Sequence, residues 1–373
     1  MKKKLLFVFG TRPEALKLAP VILEGLRRKN IKIVTCLTGQ HRQMADQVLE
    51  LFKIKPDFDL NLMQHGQSLG DLTYRLLGGI KPVIDKVKPD CIIVQGDTTS
   101  AFVVALQSFY DKIPVAHVEA GLRSRDKHHP FPEEINRILI SHVADFHFPP
   151  TKESQKNLQQ EGIPNKSIFI TGNTIVDALQ KVRSEVVKHK TPNLDSIPKN
   201  KRIILVTAHR RESFGGPFEN ICLALREIAQ KNPDAEIVYP VHLNPKVQEP
   251  VFRILKNQKG IRLLPPLSYE EFVVLMDRSY FILTDSGGIQ EEAPTFGKPV
   301  LVMRKVSERP DGIKLGVAKL VGTSTQKIVK EATRLLKEPK TYRSMIKRKN
   351  PYGDGKASKR ILDILTKELN RRG

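Results

Sequence analysis

The segment from Phe281 to Ala293 combines the residue types that a protein needs to bind a diphosphate. It reads as a buried strand, a turn with two adjacent glycines, and the start of a helix. Ser286 is a typical helix N-cap, and Gly287 and Gly288 leave backbone amides open to an anion at the positive end of the helix. Glu292 would lie one turn further along, on the face of Gly288, where its carboxylate could accept the hydroxyls of a ribose. The flanking residues favour a nucleotide-diphosphate cradle, whereas Ser-Gly-Gly alone would favour an ordinary strand-to-helix turn.

Three carboxylates in the first half of the chain stand where strands are predicted to end or a helix to begin. Asp97 follows the apolar run Cys91–Val94, Glu119 follows Val115–Val118, and Glu133 opens a helical segment. Any one of them is equally well explained as a helix cap. Carboxylates gathered in a partly dry cleft have different proton affinities, which an acid and a base acting on opposite faces of a substrate require. We therefore expect the three to share one site.

Basic side chains accompany both groups of residues. Arg12 and Lys17 lie at the start of the first predicted helix, where solvated surface charge is the alternative interpretation. His209 and Arg210 follow the first predicted strand of the second half, and Arg309 lies beyond the glycine pair. Arginine binds phosphate through its guanidinium fork and histidine by donating a hydrogen bond. These residues are candidates for contacts with phosphate.

Composition limits the class of protein. The chain has 373 residues, which predicts about two domains, and a net charge of +22 that suits a polyanionic small molecule. Nucleic acid is a less favoured partner because recognition-helix and zinc-finger signatures are lacking. The apolar run at the start stops at Gly10, and no segment has the length of a membrane span, so we expect a cytoplasmic protein. Three scattered cysteines indicate reduced thiols, and no cluster has metal-ligand spacing.

Alternating strand and helix patterns run along the whole chain. They predict an α/β protein of the GT-B type, with two doubly wound Rossmann-like domains and the active site in the cleft between them. The predicted domains are 1–172, joined by the C-terminal helix 356–373, and 173–355. The predicted strands are Leu5–Phe9, Lys32–Leu37, Cys91–Val94, Val115–Val118, Phe146–Phe148, Ile168–Thr171, Ile203–Val206, Ile237–Val241, Ile261–Leu264, Phe281–Thr284 and Val300–Met303.

Seven motifs carry a resemblance to a known family. In chain order they are GTRPE, GDTT, HVEAGLR, PEEINR, GNTIVD, HRRES and TDSGGIQEEA. From Lys4 to about Leu365 the chain resembles the non-hydrolysing UDP-N-acetylglucosamine 2-epimerases. The resemblance implies a GT-B fold, a homodimer, and catalysis without a metal or another cofactor.

The resemblance also implies roles for individual residues. The nucleotide-sugar contacts would come from Arg12, Lys17, His209, Phe272, Ser286, Gly287, Gly288, Glu292 and Arg309. The catalytic carboxylates would be Asp97, Glu119 and Glu133, with His209 stabilising the departing diphosphate. In some bacterial members a second UDP-N-acetylglucosamine activates the enzyme, and Gln43, Arg210 and His242 match part of that possible allosteric site. One departure is Leu267, which stands where some members have Gln, so one polar contact, to the uracil, is in doubt.

The implied reaction is the interconversion of UDP-N-acetylglucosamine and UDP-N-acetylmannosamine, for the synthesis of a cell-surface polysaccharide. Carbon-2 of the sugar carries no acidic proton, so elimination and re-addition of UDP through 2-acetamidoglucal is expected. The alternatives are a hydrolysing epimerase that releases N-acetylmannosamine, an epimerase of a diacetamido sugar nucleotide, a GT-B glycosyltransferase, and a nucleic-acid-binding protein. Which carboxylate serves which sugar face stays open.

Overall fold

The chain folds into two compact units. The structure is a computed structural model that describes residues 2–39, 42–64, 66–186 and 191–372, with residues 42–44 described by their backbone only. The first unit comprises Met1–Ala178 with Tyr352–Gly373, and the second comprises Leu179–Pro351.

The first unit is built on a six-stranded parallel sheet. Its strands are β1 Lys3–Phe9, β2 Ile31–Leu37, β3 Phe58–Asp59, β4 Cys91–Gln95, β5 Val115–Val118 and β6 Phe146–Phe148. Its helices are α1 Arg12–Leu26, α2 Arg42–Leu51, α3 Leu69–Val87, α4 Thr99–Tyr110, α5 Glu133–Val143, α6 Lys152–Gln160 and α15 Ala357–Arg372. A further helix, α7 Thr174–Val186, carries the chain into the second unit.

The second unit repeats this design. Its strands are β7 Arg202–Thr207, β8 Ala235–Pro240, β9 Ile261–Leu264, β10 Phe281–Thr284, β11 Val300–Val302 and β12 Ala318–Leu320. Its helices are α8 Gly216–Lys231, α9 Pro245–Leu255, α10 Tyr269–Arg278, α11 Gly287–Glu292, α12 Pro310–Lys314, α13 Thr325–Lys337 and α14 Pro339–Ile346.

Both sheets have the doubly wound order. The first runs β3-β2-β1-β4-β5-β6, and the second runs β12-β11-β10-β7-β8-β9. All residues of β4 and β10 are buried, as expected for parallel strands covered by helices on both faces. The strand order reverses between β1 and β4 and between β7 and β10, and ligands of doubly wound sheets bind outside the carboxyl ends of the strands at such a point.

The basic segments of the second unit are helix faces turned to solvent. Helix α13 buries Ile328 and Leu335 at helical spacing against the core of its unit, while Lys327 and Lys330 are exposed. Its sequence is therefore explained by an amphipathic helix.

The edges of the sheets differ from the sequence prediction. Residues 168–171 form no regular strand, because only Ile168 makes a bridge, to His147, before Gly172 turns with φ +90°. The edge strands β3 and β12 were not predicted, since two or three residues are too short to show a period.

Candidate functional site

The turn after β1 is tied to the turn after β4 by one buried carboxylate. Glu14 accepts hydrogen bonds from the backbone amides of Gly10 and Thr11 at 3.1 and 2.8 Å, and from Oγ1 of Thr98 at 2.7 Å. Burial raises the pKa of Glu14, and these hydrogen bonds oppose that rise. The contact holds together the two loops that carry Arg12 and Asp97.

Asp97 lies against the first turns of α5. Its carboxylate forms an ion pair with Arg137, and its backbone oxygen accepts a hydrogen bond from Nδ2 of Asn136 at 3.0 Å. Glu133 precedes Arg137 by four residues and therefore shares its helix face. Among the described residues, the half-buried Glu133 has no hydrogen-bond or ion-pair partner, so its carboxylate is available to a ligand.

Glu119 is held in an uncommon backbone conformation directly after β5. Its φ is +65°, which non-glycine residues seldom adopt. Nζ of Lys17 lies 2.5 Å from its Oε2, and Nδ2 of Asn173 donates to the same oxygen at 3.1 Å. The buried carboxylate is thus held by Lys17 of α1 and by Asn173, which precedes α7. Lys17 also places a positive charge next to it.

Neighbouring motif residues have structural roles. A Cβ at Gly121, where φ is +86°, would lie 2.2 Å from the backbone oxygen of Ser154, so only glycine fits. Glu134 is buried and accepts from the amides of Ser124 and Arg125 at 2.9 and 2.8 Å. The adjacent carboxylates in Pro-Glu-Glu are therefore separated: Glu134 fixes a loop, and Glu133 is left for a ligand.

The loops after β7 and β10 are joined by Asp285. This residue is fully buried, and its Oδ2 accepts from the backbone amides of His209 and Arg210 at 2.7 and 2.8 Å. The two loops lie at the point where the strand order of the second sheet reverses. Asp285 thereby sets the backbone positions of the two candidate phosphate-binding residues.

The imidazole of His209 is partly exposed and stacks on that of His242, with ring centroids 5.1 Å apart and planes 15° apart. Nδ1 of His209 lies 4.0 Å from Oδ1 of Asp285. Burial lowers the pKa of His209, the Asp285 carboxylate opposes this effect, and His242 and Arg210 add to it. The imidazole of His209 therefore lies near one group that favours its charged form, Asp285, and near two that disfavour it, His242 and Arg210.

The glycine pair opens α11 beside two guanidinium groups. A Cβ at Gly287 would lie 3.6 Å from Nη2 of Arg210 and 3.9 Å from Cζ of Arg309, and one at Gly288 would lie 3.4 Å from Oε1 of Glu292. Ser286 occupies the N-cap position without a side-chain hydrogen bond to the first turn. The glycines thus leave a small space that is flanked at Gly287 by two guanidinium groups and by Oε2 of Glu308 at 3.7 Å, and at Gly288 by the carboxylate of Glu292.

Residues 304–309 form a charged loop behind this space. Arg304 donates to Glu212 at 2.6 Å and to both oxygens of Glu308 at 3.0 and 3.1 Å. Burial would raise the pKa of Glu308, but Arg304, Arg309 and Arg210 together outweigh burial and lower it to about 2. Arg309 pairs with Glu291 of α11. These ion pairs fix the loop that carries Arg309.

Phe272 and Leu267 are half-buried and pack against the apolar cluster between α10 and the sheet. The side chain of Gln43 lies outside the described residues. Across the described parts of the chain, no group of three or more His, Cys, Asp or Glu residues could hold a metal ion. No helix among the described residues has the length and apolar character needed to span a membrane.

Sequence reasoning misses the residues that position the candidates. The Thr11 and Glu14 pair in GTRPE predicts a capping box, which the bond from the Thr11 amide to Glu14 confirms, but the bond to Thr98 is not predicted. No role is assigned to Asp285, Asn173 or Arg137. All four lie in the seven motifs or next to a candidate, which is the signal that could have found them.

Residues 24–366 match the family described as UDP-N-acetylglucosamine 2-epimerase. The chain is 52% identical over 379 residues to the UDP-N-acetylglucosamine 2-epimerase of Campylobacter jejuni, covering 99% of each chain. It is also 52% identical over 368 residues to that of Escherichia coli K12, covering 97% of this chain and 98% of the relative.

Solved structures agree in fold. The UDP-GlcNAc 2-epimerase of Neisseria meningitidis, solved bound to UDP-GlcNAc, has a TM-score of 0.90 and 47% identity, with 98% of this chain and 100% of the other covered. The Methanocaldococcus jannaschii enzyme, solved with UDP-GlcNAc and UDP, has a TM-score of 0.80 and 36% identity, covering 97% and 99%. The chain belongs to the UDP-N-acetylglucosamine 2-epimerase family, and the predicted GT-B class with two Rossmann-like domains is confirmed.

Proposed function

We propose that the protein catalyses the reversible epimerisation of UDP-N-acetylglucosamine at carbon-2 without net hydrolysis. The observation that carries this proposal is the set of carboxylates in unlike environments at the carboxyl edge of the first sheet. Asp97 pairs with Arg137, Glu119 with Lys17, and Glu133 has no partner among the described residues. Separately held carboxylates are what removal of a proton from one face and its return on the other require.

In the proposed reaction, the second unit binds the UDP moiety. The amides of Gly287 and Gly288, Arg309 and His209 would contact the diphosphate, and Glu292 would accept the ribose hydroxyls. The two guanidinium groups within 4 Å of a Cβ position at Gly287 support this assignment, and the Glu308 carboxylate beside them is paired with Arg304. Arg12, at the start of α1, would add a further cation.

The chemical step is an elimination followed by an addition. A carboxylate removes the proton from carbon-2 while the anomeric carbon–oxygen bond breaks, and the bonding electrons leave with UDP. The products of this half are UDP and 2-acetamidoglucal, with a new double bond between carbons 1 and 2. UDP then adds back to carbon-1 as another acid delivers a proton to the opposite face of carbon-2. Cations around the diphosphate would stabilise the charge that develops on the leaving group.

Two rival reactions share the same first half. A hydrolysing epimerase lets water capture the intermediate and releases N-acetylmannosamine, and an epimerase of a diacetamido sugar nucleotide differs only in the sugar. The His209–Ser213 and Glu308–Pro310 segments favour the simple N-acetylglucosamine substrate. Three further predictions from the sequence accompany this proposal: a homodimer, a cytoplasmic location, and a supply of product to polysaccharide synthesis.

Proton NMR of the reaction in deuterium oxide tests the proposal. We expect a mixture of both UDP-sugars with deuterium at carbon-2 of the product and only traces of UDP and glucal. Stoichiometric UDP with free N-acetylmannosamine would assign the protein to the hydrolysing class instead. UDP release that requires an acceptor sugar would indicate a transferase.

A further inference from the structure

Asp285 has one carboxylate oxygen that the fold does not use. Its side chain is fully buried, and Oδ2 accepts two backbone amides. Within the part of the chain that the structure describes, Oδ1 has no hydrogen-bond partner. A buried carboxylate oxygen without a donor is unfavourable, and such exceptions call for a specific explanation.

His209 supplies the nearest candidate donor. Its Nδ1 lies 4.0 Å from that same Oδ1, about 1 Å beyond hydrogen-bond length. The ring instead stacks on His242, which follows β8 and whose own Nδ1 accepts from the amide of Asn244 at 3.0 Å. A shift of Nδ1 of His209 by about 1 Å toward Oδ1 would complete this hydrogen bond.

The charged groups around the His209 imidazole determine how a hydrogen bond to Asp285 would affect its protonation. Asp285 faces it from the end of β10, His242 from the end of β8, and Arg210 from the adjacent position of its own loop. Of these groups, Asp285 alone stabilises the charged imidazolium, whereas Arg210 and His242 oppose it. The carboxylate is thus placed to balance a positive charge on His209.

We propose that Asp285 is a positioning residue for His209. When a diphosphate binds, Nδ1 of His209 donates to Oδ1 of Asp285 and Nε2 donates to the diphosphate, so the imidazolium is held in one orientation. A carboxylate that fixes an imidazole through its second nitrogen is a common way to set its orientation and charge. This inference rests on the proposed function for the identity of the diphosphate, but the pairing of the two residues does not.

The test compares Asp285→Asn with a matched control. Asparagine keeps an oxygen that can accept both amides, and it replaces the unpaired oxygen by an uncharged NH2 group that cannot accept a hydrogen bond from His209. Asp177→Asn is the control, because Asp177 also accepts two backbone amides, from Ala357 and Ser358 at 3.2 and 2.9 Å, in the other unit. Proton–nitrogen NMR of histidine-labelled protein, with and without UDP, reports the pKa and protonation of His209, whose signals are those missing from His209→Gln.

We expect UDP to give wild-type His209 a protonated Nδ1 and a raised pKa. In Asp285→Asn the pKa of His209 should be lower than in the wild type, and in Asp177→Asn it should be unchanged. The turnover of Asp285→Asn should fall about 10- to 100-fold, the equivalent of one hydrogen bond to a charged group, with a shifted pH profile.

Superimposable His209 titrations in Asp285→Asn and the wild type would overturn the proposal and leave Asp285 as a loop-shaping residue. If Asp285→Asn does not fold, the wild-type complex decides, because an unprotonated Nδ1 with UDP bound contradicts the pairing. A wild type without epimerase activity would count against the proposed function alone, since the NMR titration still reports the pair.

Discussion

Lys17 and Glu119 form a buried ion pair in the first unit, with Nζ 2.5 Å from Oε2 and side chains only 12% and 7% exposed. The sequence suggested Lys17 as a cation for the nucleotide sugar and Glu119 as a catalytic carboxylate. The contact means that the two cannot be considered separately, since each neutralises the other in a site of low exposure. Lys17 therefore influences the chemistry of Glu119 whatever else it contacts.

Removing either candidate proton-transfer carboxylate should impair the chemical step. We expect Asp97→Asn and Glu119→Gln each to lower turnover by about 100-fold or more with a modest change in KM, because these groups act in the transition state. Asp90→Asn is the control. Asp90 lies just before the first residue of β4, at the end of the strand away from Asp97, and accepts a hydrogen bond from the backbone amide of Lys4 at 2.7 Å. Near-normal initial rates for Asp97→Asn and Glu119→Gln would leave those residues with a structural role only, as partners of Arg137 and Lys17.

The ribose contact can be tested by binding alone. Glu292→Ala should weaken UDP binding by about 1.5–3 kcal/mol, the size of hydrogen bonds to a charged group. Isothermal titration calorimetry measures the change in UDP affinity. Glu227→Ala, which breaks an exposed ion pair with Lys231 on α8, is the control and should bind UDP as tightly as the wild type. Equal UDP affinities for wild type and Glu292→Ala would mean that the cradle has been misinterpreted.

Gly287→Ala should weaken UDP binding without lowering the stability of the fold. In Gly287→Ala the new Cβ makes only ordinary contacts at 3.6 Å or more, so the fold accepts it, and alanine favours a helix over glycine by up to about 1 kcal/mol. The same methyl group occupies the space that a phosphate would enter. We expect an unchanged or higher Tm with at least about 10-fold weaker UDP binding, which corresponds to about 1.4 kcal/mol. A variant that binds UDP as the wild type does would exclude close approach at Gly287.

His117 predicts how the stability depends on pH. Burial lowers its pKa from 6.5 to about 3, while its Nε2 bonds the backbone oxygen of Gly96 at 2.7 Å. The unfolded chain therefore binds more protons below pH 6.5, and stability is lost as the pH falls through that range. We expect the free energy of unfolding to fall by about 1–2 kcal/mol between about pH 6.5 and pH 5, as urea titrations would measure. The slope should be smaller in His117→Gln and unchanged in the exposed control His128→Gln; equal slopes in all three would contradict it.

The second site has a kinetic signature. If Arg210 and His242 contribute to an activator site, initial rates against UDP-N-acetylglucosamine should be sigmoidal. UDP-N-acetylmannosamine alone should convert slowly until a trace of the other epimer is added. Both residues adjoin the candidate substrate groups, Arg210 beside Gly287 and His242 on the ring of His209, so an activator here could act by direct contact. Hyperbolic curves without a lag would argue against the site.

The sequence predicted most of the fold because parallel strands carry strong local signals. The buried runs at β4, β5, β6 and β10 were placed within one residue, since nearly continuous apolar residues bounded by turns are hard to misread. The edges were not found, because β3 and β12 owe their pairing to neighbours in space.

The candidate site shows the same division. Residues at strand ends could be chosen as candidates from their residue types. Glu14, Asp285 and Asn173, in contrast, form hydrogen bonds with residues that lie far away in the sequence. Glu14 reaches Thr98, 84 positions away, and Asp285 reaches the amide of His209, 76 positions away. Pairings of that kind depend on strand order, which a single sequence does not display.

The chain order of the two units has a consequence for biosynthesis. The second unit is one uninterrupted stretch, whereas the first is completed by α15, whose Ile361, Leu362 and Leu365 are buried and whose first amides bond Asp177. During synthesis on the ribosome, the second unit can therefore fold as soon as its own residues have emerged. The first unit cannot cover the face of α1 that packs against α15 until α15 has been translated. The carboxylates of the first unit thus acquire a fully packed scaffold only after the second unit has been made.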